Sequence, residues 1–388
     1  MPKRFSTFSI AHTDISSAPF NNAQRTVRIR VPNNLSGFAV RLKFSNYYSA
    51  EPCWVGAATL ALSDNKGQLI AGSLRTVTVH GDSSFALVPQ RDVYSDPIQM
   101  EVLPGQVFAV SLYYPSEQKV NSGNFIGNFA SRSIKGDYTA EAVLPTASLW
   151  TKLSHSLMPW DASSAITTLS GVVVETECEE NKRVIAAFGD SIMQQGTWTT
   201  PFTFLLYQKY PGEVSFCNLG IGGNRFLHHS PVSAKGIYGN AGATRYSYDL
   251  LPIEGLTHVL FALGTNDLGL PGKDGTPESE VITLRQYADA ATALAQELHQ
   301  RGVKIYGCTL LPREIAGVYT AERETVRLAI NSWIKATAVF DAVLDLASAV
   351  ADTDGIGMKR EYVMVDGLHP SAAGGKAIAQ SIDLSLFR

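Results

Sequence analysis

The sequence predicts an all-β domain followed by an α/β domain of three layers. Apolar side chains alternate with basic ones over residues 27–31 and 38–44, which is the period of half-buried strands, and turn residues separate such runs at short intervals. Beyond residue 183, short apolar runs instead alternate with segments of helical periodicity. The predicted domains are residues 1–178 and 179–388.

The first domain is predicted to be a β-sandwich of jelly-roll type. Further candidate strands span residues 54–62, 75–79, 106–113 and 171–175. The segments between the strands contain Asn, Asp, Gly and Pro, which favour turns because they tolerate left-handed backbone or restrict φ. Short strands joined by such turns are typical of antiparallel sandwiches.

The second domain is predicted to contain a parallel sheet covered by helices on both faces. Near-continuous apolar runs indicate strands over residues 184–188, 214–218, 258–263, 304–310 and 342–346. Residues 284–298 carry apolar side chains at helical spacing, with Gly302 where a helix would end, and a second amphipathic helix is predicted over 321–337. In such sheets the functional groups gather at the carboxyl ends of the strands. The Gly-rich residues 228–248 are expected to form a loop over this edge.

Composition and charge exclude several classes of function. The chain has 32 basic and 35 acidic residues and a formal net charge of -3, with no Lys/Arg run, so no nucleic-acid partner is expected. No segment approaches the roughly 20 apolar residues that span a membrane. The N-terminus lacks the apolar stretch of a secretory signal, so a cytoplasmic protein is expected unless a leader was removed. The four cysteines form no Cys-x-x-Cys pair, which predicts neither a zinc site nor a disulfide framework.

Four short motifs follow predicted strands or precede the last helix. They are Phe-Gly-Asp-Ser at residues 188–191, Asn-Leu-Gly-Ile-Gly-Gly-Asn at 218–224, Gly-Thr-Asn-Asp at 264–267 and Asp-Gly-Leu-His-Pro at 366–370. Because the carboxyl ends of parallel strands meet at one edge of the sheet, we expect their polar groups to converge.

These groups suit nucleophilic attack on an ester. A serine hydroxyl is a weak nucleophile at neutral pH, so it needs a base within hydrogen-bond reach and donors for the developing oxyanion. Ser191 is predicted to be the nucleophile, His369 the general base and then acid, and Asp366 the carboxylate that orients the imidazole. The N–H of Ser191, the N–H of Gly223 and the side-chain amide of Asn266 are predicted to form the oxyanion hole.

The four motifs resemble the four sequence blocks of the SGNH hydrolase superfamily, the GDSL-like esterases and lipases. The resemblance covers residues 184–388 and departs at Ile192, where the GDSL name has leucine. It implies a flavodoxin-like fold of three layers, an acyl-enzyme mechanism, and neither cofactor nor metal. Residues 40–46 and 94–97 are similar to the β-sandwich that precedes the catalytic domain in a bacterial subgroup associated with carbohydrate esterases.

Several other polar residues could either contact the substrate or have a structural role. Arg225 and Arg245 either contact substrate oxygens or form structural hydrogen bonds to the loop. His228 either lines the substrate pocket or is solvated, and Asn224 is a further candidate for substrate contact. Asp190 and Asp267 are expected to fix turns by accepting hydrogen bonds from backbone N–H groups.

The predicted function is hydrolysis of short-chain esters, chiefly acetyl esters on carbohydrate, where the sugar is implied by the resemblance alone. The same triad would serve acyl transfer, or lipase and thioesterase reactions on longer acyl chains. A carbohydrate-binding protein built on the sandwich is the non-enzymatic alternative. A metal-dependent phosphoesterase built on Asp190, Asp366 and His369 would need further ligands that the sequence does not supply. The expected partner is a small-molecule or oligosaccharide ester, and homo-oligomerisation is left open.

Overall fold

The computed structural model describes residues 2–17, 23–125, 131–145, 165–177, 181–273, 275–353 and 355–388. The chain divides into two units, Met1–Lys182 with Pro211–Ser215 and Arg183–Tyr210 with Phe216–Arg388. The predicted domain boundary between residues 178 and 179 lies outside the described residues and stays a prediction.

The N-terminal unit is an antiparallel β-sandwich, as predicted. One sheet has the strand order β1-β15-β4-β10 with β9 beside β4, and a second has the order β13-β3-β11-β6-β7. The strands are β1 (Lys3–Ser9), β2 (Thr13–Asp14), β3 (Arg25–Pro32), β4 (Gly37–Ser45), β5 (Cys53–Val55), β6 (Ala57–Ser63), β7 (Arg75–Thr76), β8 (Phe85–Leu87), β9 (Asp92–Tyr94), β10 (Ile98–Val102), β11 (Val107–Tyr114), β12 (Ser122–Phe125), β13 (Ser131–Lys135), β14 (Ala165–Thr167) and β15 (Leu169–Thr176).

Three strands of the first sheet were not predicted from the sequence, namely β1, β10 and β9, which has only three residues. Strand β10 carries the expected alternation, with Ile98, Met100 and Val102 buried, but is only five residues long. Strand β1 begins with two basic residues and becomes buried only from Phe5 onward, where it pairs with β15. Both strands are defined by their pairing partners as much as by their own pattern.

The C-terminal unit contains a parallel sheet in the order β17-β16-β18-β19-β20. Its strands are β16 (Arg183–Gly189), β17 (Val214–Asn218), β18 (Leu256–Ala262), β19 (Lys304–Cys308) and β20 (Ala342–Leu344). In chain order this sheet reads 2-1-3-4-5, the order of flavodoxin-like sheets, and its topological switch point lies between β16 and β18. The predicted fold class is therefore confirmed.

Helices connect these strands. They are α1 (Ser191–Gln194), α2 (Thr199–Lys209), α3 (Gly242–Asp249), α4 (Thr265–Gly269), α5 (Leu284–Gln300), α6 (Ala321–Ala336), α7 (Leu346–Val350) and α8 (Ala372–Ser381). Helix α3 occupies the end of the segment predicted as a loop. Helix α2 was missed because its amphipathic pattern is weak, with Phe202 buried but Phe204 62% exposed. In the described residues, no helix has the length and apolar character needed to span a bilayer.

Both faces of the sheet are covered by aromatic cores. On β18, His258 contacts the rings of Tyr306 and Phe387, with centroids 5.5 and 5.9 Å apart. Phe261 stands three positions along the same strand, so its side chain points to the opposite face, where it meets Phe226 at 4.9 Å. A sheet buried on both faces has its polar groups at the strand ends, which is where three of the four motifs lie, while the fourth precedes the last helix.

Candidate active site

Ser191 begins helix α1 directly after strand β16. Asp190 is the N-cap of this helix, and its Oδ1 accepts a hydrogen bond of 3.0 Å from the N–H of Ile192. The turn before it is tight, because a Cβ at Gly189 would lie 2.5 Å from the sulfur of Met193. The sharp passage from strand to helix leaves the half-buried Ser191 at the carboxyl end of the sheet.

A hydroxyl, an imidazole and a carboxylate lie in line at this position. The Oγ of Ser191 lies 2.7 Å from Nε2 of His369, and Nδ1 of His369 lies 2.6 Å from Oδ2 of Asp366. The other oxygen of Asp366 accepts hydrogen bonds of 3.0 Å from the backbone N–H groups of Leu368 and His369. Asp366 thereby orients both the ring and the loop that carries it, and the ring can take a proton from Ser191.

Asp366 is held in its charged form. Partial burial disfavours the carboxylate, but the hydrogen bonds from His369 and Leu368 outweigh burial and lower the pKa of Asp366. An ionised carboxylate stabilises the imidazolium that forms when His369 accepts a proton.

Backbone contacts fix the loop over residues 364–370. The N–H of Met364 donates to the carbonyl of His369 at 2.8 Å, and the N–H of Gly367 donates to the carbonyl of Met364 at 3.1 Å. Gly367 has a φ of 66°, a left-handed conformation that glycine adopts without strain. The N–H of Glu314 donates to the carbonyl of Gly367 at 3.0 Å and so joins the segment after β19 to this loop.

The glycine-rich loop after β17 packs on helix α1, which begins with Ser191. A Cβ at Gly220 would lie 2.4 Å from the backbone nitrogen of Gln194. Gly223 has a φ of 73°, and a Cβ there would lie 2.5 Å from ring carbons of Tyr238. Among the described residues, neither the N–H of Ser191 nor that of Gly223 has a hydrogen-bond acceptor. Both are therefore available to a ligand.

Asn266 stands at the end of β18, the strand that pairs with β16. Its buried side-chain nitrogen donates to the carbonyl of Asn224 at 3.0 Å and to Oδ2 of Asp190 at 3.4 Å. This amide brings the first three motifs together.

Asp190 and Asp267 accept hydrogen bonds from backbone N–H groups, as predicted. Asp267 accepts from Phe226 at 2.7 Å and from Leu227 at 2.9 Å. Burial raises the pKa of Asp267. Burial also raises the pKa of Asp190, to about 7, and the negative charge of the neighbouring Asp267 adds to this effect. Among the described residues, no group of three or more His, Cys, Asp or Glu side chains could hold a metal ion.

Arg245 and Asn224 are buried in the network behind the site. The Arg245 guanidinium donates to the carbonyl of Gly189 and to Oδ1 of Asn224, both at 2.9 Å, and pairs with Asp249 at 3.1 Å. Asn224 in turn donates to the carbonyls of Tyr238 and Asn240 at 2.7 and 2.8 Å. These contacts favour the structural interpretation for both residues, because their polar groups are used internally.

The two remaining candidates for substrate contact differ from each other. Arg225 is buried, pairs with Glu280 at 2.5 Å and donates to the carbonyl of His229, which again favours a structural role. The half-exposed side chain of His228 has no hydrogen bond within the described residues, so it stays a candidate for substrate contact. Tyr238 was not among the candidate residues, since no spacing signal in the sequence connects it to Gly223.

Residues 187–377 match the GDSL-like lipase/acylhydrolase family. No curated protein matches the chain. A GDSL-like lipase from Bacteroides thetaiotaomicron is similar at 16% identity over 52% of this chain and 86% of that chain, with a TM-score of 0.37. An acetylxylan esterase from Geobacillus stearothermophilus is similar at 16% identity over 52% and 91%, with a TM-score of 0.39. An alpha/beta hydrolase from the metagenome of Lake Arreo is similar at 15% identity over 52% and 92%, with a TM-score of 0.41.

Replacing the buried carboxyl of Asp190 should change how stability depends on pH. The pKa of about 7 in the folded state exceeds the unfolded value of roughly 4, so the native state binds more protons between these values. The stabilisation from Asp190 is therefore complete below about pH 4 and is lost as the pH rises to about 7. In Asp190→Asn this loss is absent, so the free energy of unfolding relative to the parent should rise by roughly 1–4 kcal/mol over that range.

Urea denaturation of both proteins at several pH values measures this difference. Asp289→Asn is the matched control, because Asp289 lies on the surface of α5 with its side chain 74% exposed. A difference between parent and Asp190→Asn that stays constant with pH would show that Asp190 is ionised throughout.

Proposed function

Because residues 187–377 belong to the GDSL-like lipase/acylhydrolase family, we propose that this ester-hydrolysing enzyme uses Ser191 as the nucleophile of an acyl-enzyme mechanism. The observation that carries the proposal is the pair of contacts at 2.7 Å from Ser191 to His369 and at 2.6 Å from His369 to Asp366. A hydroxyl in this position can lose its proton as it attacks.

Acylation and deacylation follow from this geometry. The Oγ of Ser191 attacks the ester carbonyl carbon while Nε2 of His369 takes the hydroxyl proton. The carbon–oxygen bond to the alcohol then breaks, and His369 returns the proton to the leaving alcohol. Water next attacks the acyl-serine with the same proton transfers, which releases the carboxylic acid and restores Ser191.

Three donors are proposed for the oxyanion. The N–H groups of Ser191 and Gly223 lack protein acceptors within the described residues, so they can turn to the substrate without losing a bond. Asn266 already donates to the carbonyl of Asn224 at 3.0 Å, whereas its contact with Asp190 is longer, at 3.4 Å. The longer and weaker bond is the one that the oxyanion would replace.

The packing of Tyr238 supports a short acyl group. Its ring lies against Gly223, so it occupies space next to one of the proposed oxyanion donors. The acyl chain of the substrate extends from the same carbonyl carbon that these donors serve. We therefore propose that acetyl esters are preferred over longer acyl esters.

We propose O-acetylated carbohydrates as the substrates. The sequence resemblance to the carbohydrate-esterase subgroup supports this choice. The accessibility of the triad loop is compatible with it, since the Asp366 side chain is 45% exposed and Val365 is fully exposed. A bulky, polar leaving alcohol can reach Ser191 from this side.

Ser191→Ala should remove nearly all turnover of an aryl acetate, a loss of about 10⁴- to 10⁶-fold in kcat, because no other group can form the acyl-enzyme. Ser247→Ala is the matched control, since Ser247 is exposed on α3. A fluorophosphonate probe should label the parent and the control but not Ser191→Ala. Activity of Ser191→Ala within tenfold of the parent refutes the assignment.

Asn266→Ala should lower kcat by about 10²- to 10³-fold through loss of one oxyanion donor. Steady-state kinetics with the same aryl acetate separate this effect from weaker substrate binding. A change confined to KM would remove Asn266 from the oxyanion hole.

Tyr238→Ala should raise the ratio of kcat/KM for an aryl hexanoate to that for an aryl acetate by about tenfold, because space opens beside Gly223. Phe204→Ala removes an exposed ring from α2 and serves as the control. An unchanged ratio in Tyr238→Ala would mean that another wall limits the acyl chain.

A further inference from the structure

Within the described residues, the guanidinium of Arg313 forms neither a hydrogen bond nor an ion pair. The residue is half-buried in the segment that follows β19, and its Nε is shielded from solvent with no acceptor. The guanidinium stacks over the ring of Tyr319 at 4.3 Å from the centroid. Stacking holds the group in place and leaves its terminal nitrogens uncommitted.

The neighbouring arginines Arg323 and Arg327 both pair with carboxylates and donate to backbone carbonyls, which makes Arg313 an informative exception. Arg323 donates to the carbonyls of Leu268 and Pro271 and pairs with Glu278. Arg327 pairs with Glu324, which also accepts a hydrogen bond of 2.8 Å from the Tyr319 hydroxyl. The local carboxylates therefore neutralise Arg323 and Arg327, and they fix the ring on which Arg313 rests.

Arg313 lies beside the proposed catalytic groups. Its Nη1 packs against Gly269, the last residue of α4, and a Cβ there would lie 2.1 Å from this nitrogen. Asn266 belongs to the same short helix. The next residue, Glu314, donates its N–H to Gly367 in the loop between Asp366 and His369. Arg313 thus stands between the helix of Asn266 and the triad loop, where the charge of Asp366 attracts it although the two side chains form no ion pair.

We propose that Arg313 recognises a carboxylate on the substrate, so that the ester belongs to an O-acylated acidic saccharide. A partly desolvated cation is costly without a partner, and a planar guanidinium matches a carboxylate through two parallel hydrogen bonds. The inference rests on the proposed esterase function and specifies, in addition, that the alcohol part of the ester carries a negative charge. Arg313 determines specificity in this account and takes no part in proton transfer.

A matched pair of substrates isolates the carboxylate. An O-acetylated methyl glucuronoside and the corresponding O-acetylated methyl glucoside differ in a carboxylate in place of a hydroxymethyl group. At low ionic strength we expect the parent to favour the glucuronoside in kcat/KM by about 10- to 100-fold, measured by acetate release. Added salt of about 0.5 M should reduce this preference, because it screens the charges.

Variants at residue 313 test the origin of the preference. Arg313→Gln should bring the ratio between the two substrates to about one, and Arg313→Lys should retain part of it because charge remains without the planar fork. Arg285→Gln is the control and should keep the parent ratio, since Arg285 is 91% exposed on α5 and pairs with Asp289. Circular dichroism of each variant checks that it is folded.

Two results overturn the inference while the proposed function stands. One is a parent that hydrolyses both substrates equally through Ser191. The other is an Arg313→Gln variant that loses activity equally on both, which would mean that Arg313 only supports the site. Failure of the proposed function is distinguishable, because the parent would then hydrolyse neither sugar ester nor aryl acetate, or Ser191→Ala would remain active.

Discussion

The site depends on a buried hydrogen-bond network that joins three strand ends. Arg245 connects the carbonyl of Gly189 to the side chain of Asn224, and Asn266 connects the carbonyl of Asn224 to Asp190. Buried polar groups are costly when unpaired, so a network of this kind favours one arrangement over its alternatives. The backbone turn that carries Ser191 is therefore positioned before any substrate arrives, as the proposed stabilisation of an oxyanion without reorganisation requires.

The imidazole and its carboxylate are supported differently. They lie on a loop beyond the sheet, where Asp366 orients the backbone and the ring at once. The segment after β19 is joined to this loop by the hydrogen bond from the N–H of Glu314 to the carbonyl of Gly367. In the proposed mechanism the carboxyl edge of the sheet thus supplies the nucleophile and the N–H donors, and the accessible loops supply the base and the surroundings of the leaving alcohol. Substrate choice can change through these loops while the support behind Ser191 stays constant.

Local pattern was sufficient for the long, regular elements. Helix α5 and the end marked by Gly302, which has a φ of 72°, follow the predicted spacing closely, and the parallel strands coincide with the apolar runs. The pattern was insufficient where few residues face the core. Helix α3 lies in a segment whose Gly, Ser and Ala content suggested a loop, and its Arg245 is anchored in the interior. In the sequence an arginine counts as a polar residue that is expected at the surface, so its burial in the interior cannot be predicted from the local pattern.

The sequence by itself determined the fold class, the three polar motifs at the strand ends and the fourth before the last helix, because alternation, helical spacing and the ends of apolar runs are local properties. Only the tertiary structure decided which arginine side chains pair with groups inside the fold and which could contact a substrate. Arg225 and Arg245 were candidates for substrate contact or for structural hydrogen bonds, and their partners lie inside the fold. Tyr238 and Arg313 were not candidate site residues, yet the Tyr238 ring lies against Gly223 and the Arg313 guanidinium lies against Gly269. Burial and pairing depend on segments far apart in the chain, and residue type alone does not contain that information.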